Sequence, residues 1–295
     1  MTPATRGTIF LEEGRVLEQT AFDAGQFVIR IEAPQCAAHA TPGSFAHLTC
    51  HETIPMRRPL SLMRAAPQAG WVEILYKIEG AGLQALSLAR PGDALSILGP
   101  IGQGFTAHPA RPRALLLGGG VGIPPVVFLA EHLLARKDAP WQPLAFIGSE
   151  VPFPFEARQA RAPLAGIATD VSASMPLMED WGIASRLASR AGFAGCFNGF
   201  VTELADAWLG ALAPEELHKV EIFACGPTPM LASAARLARR YGVACQVSLE
   251  EFMACAVGGC AGCTVLVDTP SGPAMKRVCV DGPVFDAYTV FPATP

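Results

Sequence analysis

The sequence has no run of basic residues and little charge of either sign: 16% of its 295 residues are Asp, Glu, Lys or Arg, and the formal net charge is -4. That balance gives no electrostatic reason to bind nucleic acid or an anionic membrane surface, and neither partner is expected. A signal-like start is lacking too. "MTPATRGTIFLEEGRV" has no sustained apolar core and reaches Glu12 and Glu13 early, unlike a secretory leader. The longest apolar run, residues 114–130, is broken by Gly118, Gly119, Gly120, Gly122, Pro124 and Pro125, which suit a strand, a turn and a helix better than a membrane span. A cytoplasmic protein is expected, and in that reducing compartment cysteines hold metal more often than they form disulfides. The six His residues are dispersed, and no general base or nucleophile stands out. What is plentiful is apolar: 51% hydrophobic residues support a large buried core and argue against disorder.

At this length two or three domains are expected rather than one. Residues 1–105 offer short β-rich runs, "QFVIRIEA", "SFAHLTC", "WVEILYKI" and "DALSILGP", punctuated by Pro and Gly, with no helix longer than "GLQALSLA". A small antiparallel barrel closes such strands. Residues 106–240 alternate apolar strands with helical stretches, "RALLLGG" then "PPVVFLAEHLLARK", "PLAFIGS", and "VEIFACG" then "TPMLASAARLARRYG", which indicates a parallel sheet flanked by helices. The stretch from 172 to 199 is the hardest to place. Residues 241–295 carry two short strands, "CTVLVD" and "KRVCVD", around a group of cysteines. So small a core usually needs a staple.

Four of the nine cysteines supply a candidate for it. Cys255, Cys260, Cys263 and Cys279 are separated by four, two and fifteen residues, and the CxxxxCxxC opening has the spacing by which a plant-type loop holds a 2Fe-2S cluster. Three thiolates from one tight loop must converge while backbone N–H groups face the sulfurs, and Gly258, Gly259 and Gly262 are expected to give that loop its freedom. A zinc site also takes four thiolates, although zinc modules more often pair CxxC knuckles across a longer gap. Cys36, Cys50, Cys196, Cys225 and Cys245 are scattered, and core packing is their default.

Two further signals concern phosphate. "RALLLGGGVGIPP" runs a strand into Gly118, Gly119, Gly120 and Gly122 and then a helix, a turn that lets a diphosphate approach backbone N–H groups or simply serves packing. After the next strand, Glu150 is a candidate for a ribose hydroxyl, and no nearby arginine suggests a 2′-phosphate; NAD is expected over NADP. In "MRRPLS", Arg58 can pair with a diphosphate while Leu60 and Ser61 meet a ring system, the alternative being a solvated Arg on an exposed strand face. In "YKIEGAGLQALS", Gly80 and Gly82 precede a short helix.

In this order, "RRPLS", "YKIEGAGLQALS", "LGGGVGIPP", "CGPTPML" and "MACAVGGCAGC" with "RVCVDGPVF" resemble the ferredoxin-reductase superfamily, and the cysteine tail resembles the electron transfer subunits of NAD-dependent dihydroorotate dehydrogenases. The resemblance implies an antiparallel FAD-binding barrel, a Rossmann-like NAD-binding domain and a small C-terminal 2Fe-2S domain. It also implies a separate FMN-containing catalytic subunit in a two-plus-two heterotetramer. Arg58, Pro59, Leu60 and Ser61 fall on the flavin motif, Lys77, Gly80 and Gly82 on its second segment, and Gly119, Gly120 and Gly122 on the NAD turn. Cys225, Gly226 and Pro227 match the motif bordering the nicotinamide, and Glu251 lies in the segment ahead of the cluster. The superfamily's "DGSxG" before "GFVT" is absent here. Two other readings stand beside this one: an NAD(P)H-linked flavin and iron-sulfur reductase subunit serving a ferredoxin or hydrogenase, and a zinc-stapled nucleotide-binding interaction protein. Colour separates the last, since flavin and cluster absorb visible light and zinc does not.

Overall fold

Apolar side chains alternating along six strands have to be buried on one side, and closing the sheet on itself does this without leaving an edge. In the computed structural model, which describes residues 7–293, these strands are β1 (Phe10–Phe22), β2 (Gln26–Glu32), β3 (Phe45–Leu48), β4 (Arg58–Ala66), β5 (Trp71–Lys77) and β6 (Ala94–Ile101). They close in the order β1-β2-β5-β4-β3-β6, every pair antiparallel. Ile29, Ile31, Leu48, Leu62, Ile74 and Ile97 fill the interior, each worth about 1.5–3 kcal/mol of burial. Two short helices interrupt the strands, α1 (Pro34–His39) and α2 (Gly80–Leu86). Glu12 caps α1 by accepting from the amides of Gln35 and Cys36 at 2.9 and 2.8 Å. Gln19 fastens the end of α2, donating to the carbonyls of Leu86, Ser87 and Ala89, and its own amide oxygen accepts from Tyr76. The barrel wall thereby holds the C-terminal end of α2, which begins just beyond Lys77.

The alternating middle of the chain forms a parallel sheet. Its elements are β7 (Arg113–Gly119), α3 (Ile123–Ala135), β8 (Leu144–Gly148), β9 (Arg158–Gln159), β10 (Ala173–Ser174), α4 (Pro176–Asp180), β11 (Ala184–Ala188), α5 (Val201–Gly210), α6 (Pro214–Leu217), β12 (Val220–Cys225), α7 (Thr228–Tyr241) and β13 (Ala244–Ser248). β9 and β10 pair with each other; the main sheet runs β11-β8-β7-β12-β13 and ends on a last strand, β16 (Val284–Asp286). The order reverses beside β7, so the carboxyl ends of β7 and β12 flank the crevice where ligands bind in open α/β sheets. α7 stops at Gly242, whose φ of 65° supplies the left-handed C-terminal turn. β11 was hidden in the sequence because it carries a buried arginine: Arg186 donates to the carbonyls of Val171, Ser185 and Ala162 and holds the preceding loops to the strand.

The cysteine segment contains the hairpin β14 (Thr264–Thr269) and β15 (Gly272–Arg277), the helical turn α8 (Val278–Asp281), then β16 and α9 (Ala287–Val290). "KRVCVD" is a strand only in its first part. At Val278 the chain turns helical, because the Asp281 carboxylate accepts from the Arg277 amide at 2.8 Å and closes the turn. The chain divides into two compact units, one of residues up to Phe105 with Leu249–Val284, the other of Thr106–Ser248 with Phe285 onward. In the first unit, Gln103 exchanges backbone hydrogen bonds with Gly282 and Val284, and the Leu249 amide donates to Pro283 at 2.9 Å, so the cysteine segment is bonded to the barrel. Among the described residues, no helix is long and apolar enough to cross a membrane.

Candidate functional site

Two arginines open β4, and the structure gives them different work. Arg57 is committed to the barrel, donating to the carbonyls of His47 and Ser96 and to the Ser96 hydroxyl. Arg58 donates only to the carbonyls of Met56 and Arg57, and no carboxylate among the described residues pairs with it. Its guanidinium lies over Gly82, where a Cβ would stand 3.0–3.1 Å from Nε, Cζ and Nη2. The "RRPLS" and "EGAG" segments, some 20 residues apart, are thus in contact. Arg58, Pro59, Leu60 and Ser61 are all half-buried, whereas Leu62 and Met63 are sealed in the core. Lys77, half-buried, ends β5, and Gly80 opens α2 with φ 71° and free space around it. A half-exposed cation without an anion, beside a close glycine approach, suits a diphosphate.

At the end of β7 the glycines divide between packing and freedom. A Cβ on Gly118 would meet Val126 at 2.9 Å, one on Gly119 would meet the Met230 sulfur at 2.4 Å, and one on Gly122 would stand 2.3 Å from the Cys225 carbonyl oxygen. Only Gly120, with φ 54°, faces open space. Packing therefore explains three of the four, and it has a consequence: the turn after β7 rests directly on Cys225 and Gly226 after β12, at the switch in strand order. Cys225 itself is fully buried, Gly226 is buried at φ 158°, and Pro227 is exposed at the start of α7. Gly122→Ala is expected to cost about 1–3 kcal/mol, as overpacking of a filled site does, and Gly120→Ala only the strain of a left-handed alanine. Thermal unfolding compares them; equal midpoints would refute the packing role of Gly122.

The expectation that no arginine stands near Glu150 is corrected here. Arg190, 40 residues on, places its Nε 3.4 Å from the Glu150 carboxylate, and the Arg190 amide donates to the same group at 3.3 Å. Sequence separation concealed the pair, because β8 and β11 are neighbours only in the sheet.

The four cysteines come together in two pairs. The Cys260 amide donates to the Cys255 sulfur at 3.4 Å, and the Gly262 amide to the Cys260 sulfur at the same distance. The Cys263 and Cys279 sulfurs lie 3.3 Å apart and buried. Burial pushes the Cys255 thiol up, but the N–H groups of Val257, Cys260 and Gly259 and the Cys260 side chain outweigh it and bring it to about 7. Cys279 goes the other way, to about 12, through burial and the adjoining Cys263. Among the described residues no three His, Cys, Asp or Glu converge to hold a single ion. Four thiols from one loop and the turn that follows the hairpin, with backbone amides donating to the Cys255 and Cys260 sulfurs, suit an iron-sulfur cluster.

The loop takes its freedom from unexpected residues. Of the three glycines, only Gly258 has a positive φ, 82°, and the other left-handed positions are Ala256 and Ala261. Alanine there costs about 1–2 kcal/mol, strain of the kind that collects at functional loops. Arg277 was missed from the sequence: it donates to the Gly258 carbonyl at 2.8 Å and holds the loop from β15.

A six-stranded antiparallel barrel, a parallel sheet with a glycine turn at its switch point and a four-cysteine module define an electron-transfer protein of the ferredoxin-reductase fold. The solved structure described as an NADH-dependent reduced ferredoxin-NADP oxidoreductase, a flavin-based bifurcating enzyme, superposes with a TM-score of 0.72 at 25% identity, covering 95% of this chain and 90% of that one. Residues 250–291 match the iron-sulfur cluster binding domain of dihydroorotate dehydrogenase B. The electron transfer subunit of dihydroorotate dehydrogenase B (NAD(+)) of Geobacillus thermodenitrificans is 34% identical over 95% of this chain and 98% of its own length. That of Shouchella clausii is 30% identical over 93% and 96%. This chain belongs to the family of dihydroorotate dehydrogenase B electron transfer subunits.

Proposed function

We propose that this chain carries electrons from a dihydroorotate-oxidising, FMN-containing catalytic subunit to NAD+, in a two-plus-two heterotetramer that serves pyrimidine biosynthesis in the cytoplasm. Residues 1–105 hold FAD, with Arg58 on its diphosphate, Pro59, Leu60 and Ser61 along its ring, and Lys77, Gly80 and Gly82 as the second segment. Residues 106–240 receive the dinucleotide at Gly119, Gly120 and Gly122, with Cys225, Gly226 and Pro227 beside the nicotinamide. In 241–295, Cys255, Cys260, Cys263 and Cys279 hold a 2Fe-2S cluster. A nicotinamide exchanges two electrons as a hydride and a cluster exchanges one, so a flavin, which does both, is the chemistry needed between them.

The observation that carries this reading is the pairing of the four cysteines in a segment bonded to the flavin-type barrel. Apolar exposure supports the partner. Phe252 is 93% exposed, and Val257 and the cross-strand pair Leu266 and Met275 are exposed on the same segment, the kind of surface a partner covers. The purified chain should oxidise NADH with an artificial acceptor and show no dihydroorotate-dependent NAD+ reduction until the FMN subunit is added. Such reduction by the chain alone would refute the division of labour. The 25%-identical oxidoreductase favours a second reading, a reductase subunit serving a ferredoxin; orotate failing to form in the reconstituted pair, with ferredoxin reduced instead, would favour it.

A further inference from the structure

Between Cys255 and Cys279 the charged residues are Asp268, Lys276 and Arg277, and the loop from Cys255 to Cys263 carries no charge of its own. The charged side chain that reaches this loop is Arg277. It ends β15 opposite Thr264, the neighbour of Cys263, and lies shortly before Cys279 in the chain. Its Nη1 donates to the carbonyl of Gly258, between Cys255 and Cys260, at 2.8 Å. A Cβ on Gly258 would meet Val280 Cγ2 at 2.5 Å and Arg277 Nη1 at 3.3 Å. The guanidinium is therefore packed on the loop backbone, although 41% of the side chain remains exposed.

This one contact links the segments that carry both thiol pairs. The Gly258 backbone, whose carbonyl Arg277 holds, hydrogen-bonds the Cys279 sulfur through its N–H, and the Val278 amide, next to Arg277, donates to the Cys263 carbonyl at 2.9 Å. Asp281 tempers the charge. Its carboxylate accepts from the Arg277 amide at 2.8 Å and lies 3.9 Å from the Arg277 Nε, while Lys276 Nζ stands 4.0 Å from its other oxygen. Two cations share one carboxylate, which leaves positive charge at the end of the hairpin. A centre held by four thiolates is anionic, and each electron it takes up adds a negative charge. Net charge and hydrogen bonds to the sulfurs are the terms that set the potential of such a centre, and a fixed cation with an aligned N–H favours the reduced state.

We propose that Arg277 is a positioning residue that raises the reduction potential of the four-cysteine centre, by fixing the Gly258 peptide toward Cys279 and placing its charge beside the thiolates, and that Asp281 offsets part of that charge. The step it biases is the uptake of one electron, ferric iron becoming ferrous, with no bond made or broken and no proton moved. A carrier standing between two other redox groups passes electrons well only when its potential lies near theirs, so the setting bears on the direction of flow. This inference rests on the reading of Cys255, Cys260, Cys263 and Cys279 as the ligands of a 2Fe-2S cluster.

The test uses the full chain, reconstituted with FAD, iron and sulfide, and three readouts: iron and sulfide per chain, the EPR signal of the reduced centre, and its midpoint potential by dye-mediated titration. Arg277→Gln keeps a donor for the Gly258 carbonyl and loses the charge. It should lower the reduction equilibrium about tenfold, ~59 mV for one electron, the size of one charge-assisted contact in a partly exposed site. Asp281→Asn, which keeps an acceptor for the Arg277 amide, should raise the equilibrium about threefold. Lys276→Gln, the neighbouring cation without a bond to the loop, should stay within about twofold of wild type. An Arg277→Gln potential within about twofold of wild type, with iron and sulfide intact, overturns the inference and leaves the cluster reading standing. An equal fall in Lys276→Gln overturns it too. If Arg277→Gln assembles no cluster, Asp281→Asn decides, and an unmoved potential there overturns the inference. Wild-type protein that takes up zinc, or iron without sulfide, would overturn the cluster reading itself.

Discussion

Cys260→Ser should leave the protein with most of its cluster absorbance gone, while Cys36→Ala keeps it. Cys260 is exposed, its sulfur accepts from the Gly262 amide, and its own amide faces the Cys255 sulfur, so its loss unravels one of the two thiol pairs. A serine oxygen is a harder ligand than thiolate and does not replace it for iron-sulfur chemistry. Cys36 is also a free thiol, but it is buried against Gly99, and burial together with Glu12 pushes it up to about 12. It sits on α1, outside the segment that brings the other four cysteines together. The check is iron, acid-labile sulfide and visible absorbance per chain in both variants after identical reconstitution. Equal iron and sulfide in the two would remove the ligand assignment, and zinc in their place would move the segment to a structural staple.

The division into a barrel and a parallel sheet was legible because each pattern has its own period. "WVEILYKI" and "QFVIRIEA" read as strands since their apolar residues line a barrel wall, and "TPMLASAARLARRYG" ends on the glycine that its left-handed turn requires. β1 gave no such signal. Its 13 residues, "FLEEGRVLEQTAF", bury little more than Gly14 and Val16, and it exists because β2 and β6 pair with it on either side. β11 was illegible for the opposite reason: a core strand holding Arg186 contradicts every apolar pattern, and only the carbonyls of Val171, Ser185 and Ala162 make that arginine tolerable.

The candidate site shows the same division. Cysteine spacing is a one-dimensional property of a loop and could be read directly. The helical turn that carries Cys279, the alanines in left-handed conformation and the Arg277 brace depend on contacts across β15 and α8, which spacing does not contain. The Glu150 and Arg190 pair required knowing that β8 and β11 are adjacent, a fact of topology rather than of motif.

Arg58→Ala should release FAD from a protein that still folds and still assembles its cluster. Arg58 contributes little to the barrel: its donors meet two local carbonyls, and its guanidinium lies half-exposed against Gly82. Removing it leaves the neighbouring Arg57, with its three bonds to His47 and Ser96, to hold β4 in place. Arg57→Ala is therefore the instructive comparison, since it should lower thermal stability by about 1–3 kcal/mol through unsatisfied buried carbonyls. Arg58→Ala should instead weaken FAD binding about 10- to 100-fold, the range for a charge-assisted contact to a diphosphate. Arg58→Lys should recover only part of it, because an ammonium is a point charge without the bidentate fork. FAD content after desalting, the dissociation constant for added FAD, and iron content are measured on all three. Undiminished FAD in Arg58→Ala with normal iron would return Arg58 to a solvated surface residue, whereas parallel loss of FAD and stability in Arg57→Ala alone would move the flavin contact to the wrong side of β4.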